Sequence, residues 1–381
     1  MNACLRIQFL LGRRKTDSGV AHFGRRPCQD MLMVTLTTGR HGGSIPCLTY
    51  LFHTRNMGFY YSQLFCTPSY PSKSFEGQTV LVTGSNVGLG FEAARHFARL
   101  KAAKVILAVR NVKAGEAAKH TIETSTKRPG CCEVWELDLA SFASVKIFGE
   151  RAATLERLDI VVENAAVANP ETFAVAEGHE RHVTVNVIST FLLALLLLPK
   201  LQTTAKRFAD SSPRLTFVTS EMHAMTQFPE RQATDIFAAL DDEQATNMAE
   251  RYSTSKLLEV LLVRELAAHI DGTEVVVNMV NPGLCHSQLA RDYGWGFWLF
   301  KLLLARSTEV GSRTLLAGAS ADASSHGAYM SDGVVAPSGL SSFVTSNAGA
   351  AAQCKLWNQL KAMLEEIAPG CTTVASMQRR D

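Results

Sequence analysis

The run Thr79-Val80-Leu81-Val82-Thr83-Gly84-Ser85-Asn86-Val87-Gly88-Leu89-Gly90 constrains this chain more than any other stretch. Four apolar or β-branched residues, Thr79 to Val82, predict a short buried strand, and the glycines after them predict a turn that enters a helix near Gly88. Such a strand, turn and helix can hold a phosphate. The glycines let the backbone turn sharply and approach a ligand, and the helix start offers free N–H groups and the positive end of its dipole. The spacing is G-x-x-x-G-x-G with Thr83 in front, not the G-x-G-x-x-G of the general dinucleotide fingerprint. Glycine clusters also build ordinary loops, so the turn takes its meaning from what surrounds it.

From residue 79 onward, strand-like and helix-like runs alternate. Further strands are predicted at Val105–Val109, Val134–Leu137, Asp159–Val162, Leu215–Val218 and Val275–Val280, with a last short one in the AYMSDG run around Tyr329. Alternation of this kind calls for a parallel sheet covered on both faces by helices, a doubly wound α/β domain of about seven strands. The most apolar helix, Val187–Leu198, is expected to end at Pro199; it is too short for a bilayer, which needs about 20 residues, and suits a buried or subunit-facing position, leaving a homo-oligomer open. The C-terminal helix AAAQCKLWNQLKAMLEEI is followed by a loose tail, 369–381, expected to be disordered from Cys371 onward.

The 381 residues, 46% hydrophobic and 19% charged, can bury a large core, and a net charge of +3 argues against a nucleic-acid partner. That charge is concentrated at one end. Residues 1–56 hold eight Lys and Arg against Asp17 and Asp30, a net of +6, so the remainder carries −3. This basic extension shows no sustained period, and Gly12, Gly19, Gly24 and Pro27 interrupt the amphipathic helix a mitochondrial presequence needs. The preferred reading is a functional chain that starts at Met57, a domain of residues 57–368 and a cytoplasmic location, with a mitochondrial presequence as the alternative. Nine cysteines without a C-x-x-C pair signal neither a disulfide framework nor a zinc site, and point to a reducing compartment. His179 and His182 are read as a polar helix entrance, because nothing completes a metal site around them.

Tyr252 and Lys256, in YSTSK, stand four apart in a predicted helix, so both side chains emerge on one face. An ammonium beside a phenol stabilises the phenolate and lowers a pKa that is otherwise about 10, which turns a poor acid into a useful one. Alone, the pair is common on solvated helices. After a strand, turn and helix of the phosphate-holding kind, and a strand ending in Val218-Thr219-Ser220, it becomes specific.

With these motifs in order, residues 75–335 resemble the short-chain dehydrogenase/reductase family, and within it the fungal secondary-metabolism reductases that also resemble retinol dehydrogenases. The likeness rests on MGFYYSQLF, VNVISTFLLALLLLP, RYSTSKLLEVLLVREL and NPGLCHSQL. The resemblance implies a single Rossmann-type domain. It also implies that Thr83, Gly84, Gly88 and Gly90 belong to the family's cofactor turn, with Ser85, Asn86 and Leu89 inside it, and that Asn186, Ser220, Tyr252 and Lys256 form the active site. By that implication Ser220 bonds the substrate carbonyl and Tyr252 donates the proton as hydride arrives. Lys256 lowers the tyrosine pKa and holds the ribose, and Asn186 keeps a water linking the lysine to solvent. Asp138 matches the adenine-contacting aspartate, Asn164 and Ala165 the turn after the fourth strand, and Pro282-Gly283 the turn against the nicotinamide.

Three departures stand out. The family's N-N-A-G is Glu163-Asn164-Ala165-Ala166 here, which places a methyl where a glycine is usual; Thr219 replaces the first of two serines; and Tyr252 follows Ser220 by 32 positions, so an insertion must lie outside the sheet. At the end of the second strand, Val109 stands where an NAD-preferring site carries an acid, and Arg110 follows it. A guanidinium there suits a 2′-phosphate, so NADPH is the expected cofactor. The aromatic cluster Tyr293–Phe300 implies a large apolar substrate; a core helix and a weak membrane-surface contact through residues 293–304 are the alternatives. The expected function is NADPH-dependent reduction of a ketone or aldehyde on a bulky apolar molecule. Oxidation of a retinol- or steroid-like alcohol is the same-fold alternative, and a cofactor-binding scaffold without turnover the alternative from another class.

Overall fold

The computed structural model describes residues 54–286, 304–373 and the single positions 289 and 302. The chain divides into two compact units, residues 1–66 and 67–381. In the first, the described residues form helix α1 (Thr54–Phe65), so the expected boundary at Met57 falls inside a helix.

The second unit is built on strands β1 (Thr79–Thr83), β2 (Lys104–Val109), β3 (Cys132–Glu136) and β4 (Ile160–Glu163), then β5 (Val175–Ala176) and β6 (His179–Glu180), then β7 (Arg214–Val218), β8 (Val276–Asn281), β9 (Tyr329–Ser331) and β10 (Val334–Val335). Helices α2 (Gly88–Arg99), α3 (Val112–Thr126), α4 (Phe142–Ala153), α5 (Ser189–Arg207), α6 (Ile236–Leu240), α7 (Met248–Ala268), α8 (Thr308–Ser320) and α9 (Asn347–Ile367) lie between and after them. Eight strands form one sheet in the order β10-β9-β8-β7-β4-β1-β2-β3. Seven are parallel, as expected, and β10 adds a short antiparallel edge that the sequence did not announce. A separate two-stranded hairpin, β5 and β6, was not expected either.

Val80–Val82, Val105–Val109 and Ile160–Val162 read as unbroken apolar runs because both faces of these strands are covered. Alternate residues supply two cores. Leu81, Ile106, Val161, Leu215 and Val277 face one way, against α4, α5, α7 and α9. Val80, Val82, Val105, Leu107 and Val162 face the other way, against α2, α3 and α8. The strand order reverses between β1 and β4, which opens a crevice at their carboxyl ends, the usual ligand site of such sheets.

Pro199 does not end its helix. A π-helical turn, Val183–Ile188, runs directly into α5, which carries the proline inside it. An interior proline costs about 3 kcal/mol. Leu195, Leu197, Leu198 and Leu201 are all buried around it, at roughly 1.5–3 kcal/mol each, so burial wins. The full span, Val183–Arg207, is by length and composition able to cross a membrane, yet 83% of its most apolar window is buried within the protein, as suits a core helix.

The insertion after Ser220 does lie outside the sheet, but it joins the core through Phe228, Ile236, Phe237 and Leu240. The fully buried Arg251 ties it down: its Nη2 donates to the Leu240 carbonyl at 3.0 Å and to Thr246 Oγ1 at 2.6 Å, and the guanidinium lies near Glu180 and Glu230. The tail expected to be loose from Pro369 packs against the domain at Cys371 and Thr372. The Glu365 carboxylate accepts from the backbone N–H groups of Gly370 (2.6 Å) and Thr372 (2.8 Å), and Cys371 and Thr372 are buried.

Candidate active site

The loop after β1 and the turn after β4 are stitched together by two side chains. Thr83 Oγ1 accepts from the backbone N–H groups of Asn164 (2.8 Å) and Ala165 (2.9 Å), while Asn164 Nδ2 donates to the Thr83 carbonyl (2.8 Å). Thr83 and Asn164 therefore bond to each other and set the floor of the crevice. The approach is close enough to demand glycine. A Cβ at Gly90 would lie 2.6 Å from Asn164 Nδ2 and from the Gly84 carbonyl oxygen, and Gly84 itself has φ +64°. No side chain caps the start of α2, and Ser85 Oγ is buried without a hydrogen-bond partner among the described residues. Asn86 and Leu89 are half-buried beside it. These features fit an anionic cofactor phosphate at the helix N-terminus.

Helix α7, which carries Tyr252 and Lys256, runs against β8 and the short 3₁₀ turn Glu221–Ala224 that follows β7 and is capped by Ser220. The Lys256 ammonium donates to the Val218 carbonyl at 2.9 Å and lies 5.8 Å from the Tyr252 ring centre. Tyr252 and Ser220 remain half-exposed while Lys256 is buried. Ser220 is fixed from behind by His223, whose Nε2 accepts from the Ser341 backbone N–H (3.1 Å). The proton therefore sits on Nδ1, which donates to the Ser220 carbonyl at 2.8 Å. Burial holds the His223 pKa below its usual value, in keeping with a neutral ring.

Asn186 lies in the π-helical turn and is fully buried. Its Oδ1 accepts from the Val167 N–H (2.9 Å), and its Nδ2 donates to the Val167 carbonyl (3.0 Å) and to Ser255 Oγ (2.9 Å), which in turn donates to the Tyr252 carbonyl at 2.8 Å. The side chain thus anchors α7 to the turn after β4; it is not bonded directly to Lys256.

Two buried carboxyls complete the site, and sequence reading gave neither a role. Glu259, one turn beyond Lys256, meets its ammonium with both oxygens, at 2.7 and 2.9 Å. Glu163, at the end of β4, lies 3.3 Å from Thr83 Oγ1. Burial pushes Glu163 up to about 8, opposed by its bond to Thr83 and reinforced by the charge of Glu259. Burial likewise pushes Glu259 up to about 7, against the pull of Lys256. The available signals were a polar residue inside LLEVLLV and a glutamate at a position where the family carries asparagine.

Other expected positions fall around this centre. Arg110 is exposed just past the end of β2. Asp138 is half-buried after β3, its Oδ1 accepting from the Ala140 N–H at 2.9 Å. Gly283 follows Pro282 with φ +72° and donates from its N–H to Asn281 Oδ1 at 3.0 Å. Ala166 is not among the residues of positive φ, so the backbone requires no glycine there. The aromatic cluster Tyr293–Phe300 lies outside the described residues.

His179 and His182 pair with carboxylates, His179 Nδ1 with Asp241 (2.7 Å) and His182 Nδ1 with Glu180 (2.8 Å). Far from the crevice, Glu123, Cys131 and Cys132 lie together at the start of β3, the two Sγ atoms 3.7 Å apart, a grouping that residue spacing had not linked.

Residues 78–229 match the family model described as short chain dehydrogenase. The short chain dehydrogenase/reductase dmxR8 of Cryptosporiopsis sp. (strain 8999) is 48% identical over 329 residues, 83% of this chain and 99% of that protein. This chain belongs to the short-chain dehydrogenase/reductase family. The short-chain dehydrogenase anuD of Penicillium roqueforti (strain FM164) is 44% identical over 82% of this chain and 84% of its own length. Among solved structures, an uncharacterized protein from Mycobacterium paratuberculosis superposes with a TM-score of 0.59 at 27% identity, covering 77% of this chain and 96% of that one. As a short-chain dehydrogenase/reductase, the protein is an NAD(P)-dependent oxidoreductase with a Rossmann fold.

Proposed function

We propose that this enzyme reduces a ketone or aldehyde on a bulky apolar small molecule, with NADPH as its cofactor, in fungal secondary metabolism. The observation that supports the reading is the meeting of α7, which carries Tyr252 and Lys256, with the end of β7 and the turn that Ser220 opens. Bound NADPH supplies the hydride. Ser220 Oγ holds the substrate oxygen, Tyr252 gives it a proton, and the Lys256 charge makes the phenol a stronger acid. Asn186 and Ser255 fix the backbone of Tyr252, and His223 fixes that of Ser220.

Thr83, Asn164 and the glycines shape the cofactor's bed, with Ser85, Asn86, Leu89 and Ala165 lining it. Asp138 bounds the adenine side and Pro282-Gly283 the nicotinamide side. The preference for NADPH is supported by an exposed Arg110 after a strand that ends in Val109, with no acid there to accept from a free 2′-hydroxyl. The aromatic run Tyr293–Phe300 supports a large apolar substrate. The test is to offer the purified protein NADPH with a panel of apolar ketones and aldehydes and identify the alcohols formed. Tight NADPH binding without consumption on any of them would favour a non-catalytic role.

A further inference from the structure

The site holds an acid that the reaction scheme above does not use. A lysine ammonium has three protons to donate, and here two go to the oxygens of Glu259 and one to the Val218 carbonyl. Lys256 is thus saturated by the protein itself, with a carboxylate beside it that offsets its charge. The charge of Glu259 in turn raises the cost of ionising a second buried carboxyl, Glu163 on β4. Lys256, from its own helix, is the charged group that acts on Glu259, and Glu259 acts on Glu163, from β4, an interaction that like charges share both ways. One oxygen of Glu163 is buried with no hydrogen-bond partner among the described residues, a position more easily held by a carboxyl that keeps its proton.

We propose that Glu259, coupled to Glu163, is the positioning residue of Lys256 and sets how much positive charge reaches Tyr252. This inference rests on the reading of Tyr252 as the proton donor. With both carboxyls ionised, the trio carries a net charge of −1 beside the phenol and resists phenolate formation. With one of the two protonated, the trio is neutral. With both protonated, the lysine acts at full strength. Each step removes one negative charge that offsets the Lys256 ammonium, 5.8 Å from the ring centre, so each makes Tyr252 easier to ionise. Cofactor hydroxyls arriving at Lys256 must compete with Glu259 for its protons, and a protonated Glu259 competes less well.

The experiment is a phenolate titration by ultraviolet absorbance on the full chain. Subtracting the curve of Tyr252→Phe isolates Tyr252 from the other tyrosines, and the same subtraction is made in the Glu259→Gln background. Removing the carboxylate charge should lower the Tyr252 midpoint by about one pH unit, the size of a single charge acting across a partly buried site. Glu259→Asp, which keeps the charge, should leave the midpoint near its original value, a distinction that lost packing alone would not produce. Should Glu259→Gln fail to fold, Glu163→Gln must shift the midpoint in the same direction. A midpoint unmoved in the folded variant overturns the proposal. NADPH oxidation with phenanthrenequinone as probe substrate separates the two levels: turnover persisting in Tyr252→Phe defeats the proton-donor reading, whereas loss of turnover there with an unmoved midpoint defeats only the role of Glu259.

Discussion

Replacing Glu163 by Gln should make the protein more stable, by a margin that grows as pH rises from about 4.5 to about 8. The side chain is buried at the end of β4, and its carboxyl is pushed from an ordinary 4.5 up to about 8, chiefly by burial. A folded-state pKa above the unfolded one means that the folded protein holds the proton more tightly. The stability Glu163 contributes is therefore fully present below about pH 4.5, is lost progressively as pH rises, and is gone once pH passes about 8. At about 1.4 kcal/mol per pKa unit, a change from 4.5 to about 8 bounds the loss at ~5 kcal/mol. The coupling to Glu259 makes ~2–5 kcal/mol the useful range. Glutamine copies the protonated acid in shape and cannot ionise, so its variant should match the unmodified protein near pH 5 and exceed it by that amount near pH 9. Urea unfolding followed by tryptophan fluorescence across this range measures the difference. Parallel stability profiles for the two proteins would show that Glu163 does not titrate in the folded state and would refute the reasoning.

Two further outcomes are expected. Arg110→Ala should remove a preference for NADPH over NADH of roughly ten- to a hundredfold, the worth of one charge-assisted contact of about 1.5–3 kcal/mol, by weakening NADPH alone; equal changes for both cofactors in binding titrations would make Arg110 an ordinary solvated residue. Arg251→Met leaves Glu180 buried beside a lost partner and frees the Leu240 carbonyl, so denaturant unfolding should show a loss of about 3–5 kcal/mol, and a change below about 1 kcal/mol would mean the insertion is held by its apolar residues.

The centre of the sheet was legible because burial on both faces keeps its strands apolar, as in Val80-Leu81-Val82 and Val105–Val109. The glycine turn was legible for a different reason: Gly84 and Gly90 have no room for a side chain. Boundaries set by long-range packing were not. Pro199 is a local stop signal overruled by the leucines around it, and the tail past Pro369 is held by Glu365, a contact no period announces. The catalytic quartet could be placed on the resemblance, but its support could not. The bonds of Asn186 to Val167 and Ser255, of His223 to Ser220 and of Glu259 to Lys256 join residues whose spacing carries no pattern of its own, except for the last, which lies one helical turn apart.

The assignment of Tyr252 as proton donor is tested most directly by one comparison, NADPH turnover against NADPH affinity in Tyr252→Phe. Removing the hydroxyl leaves the ring, the bond from Ser255 to the residue's carbonyl and the crevice floor of Thr83 and Asn164 in place. Turnover should fall by at least the roughly hundredfold typical of a lost general acid, while the dissociation constant for NADPH stays within about twofold. Turnover undiminished in that variant would contradict the account, whatever the substrate proves to be.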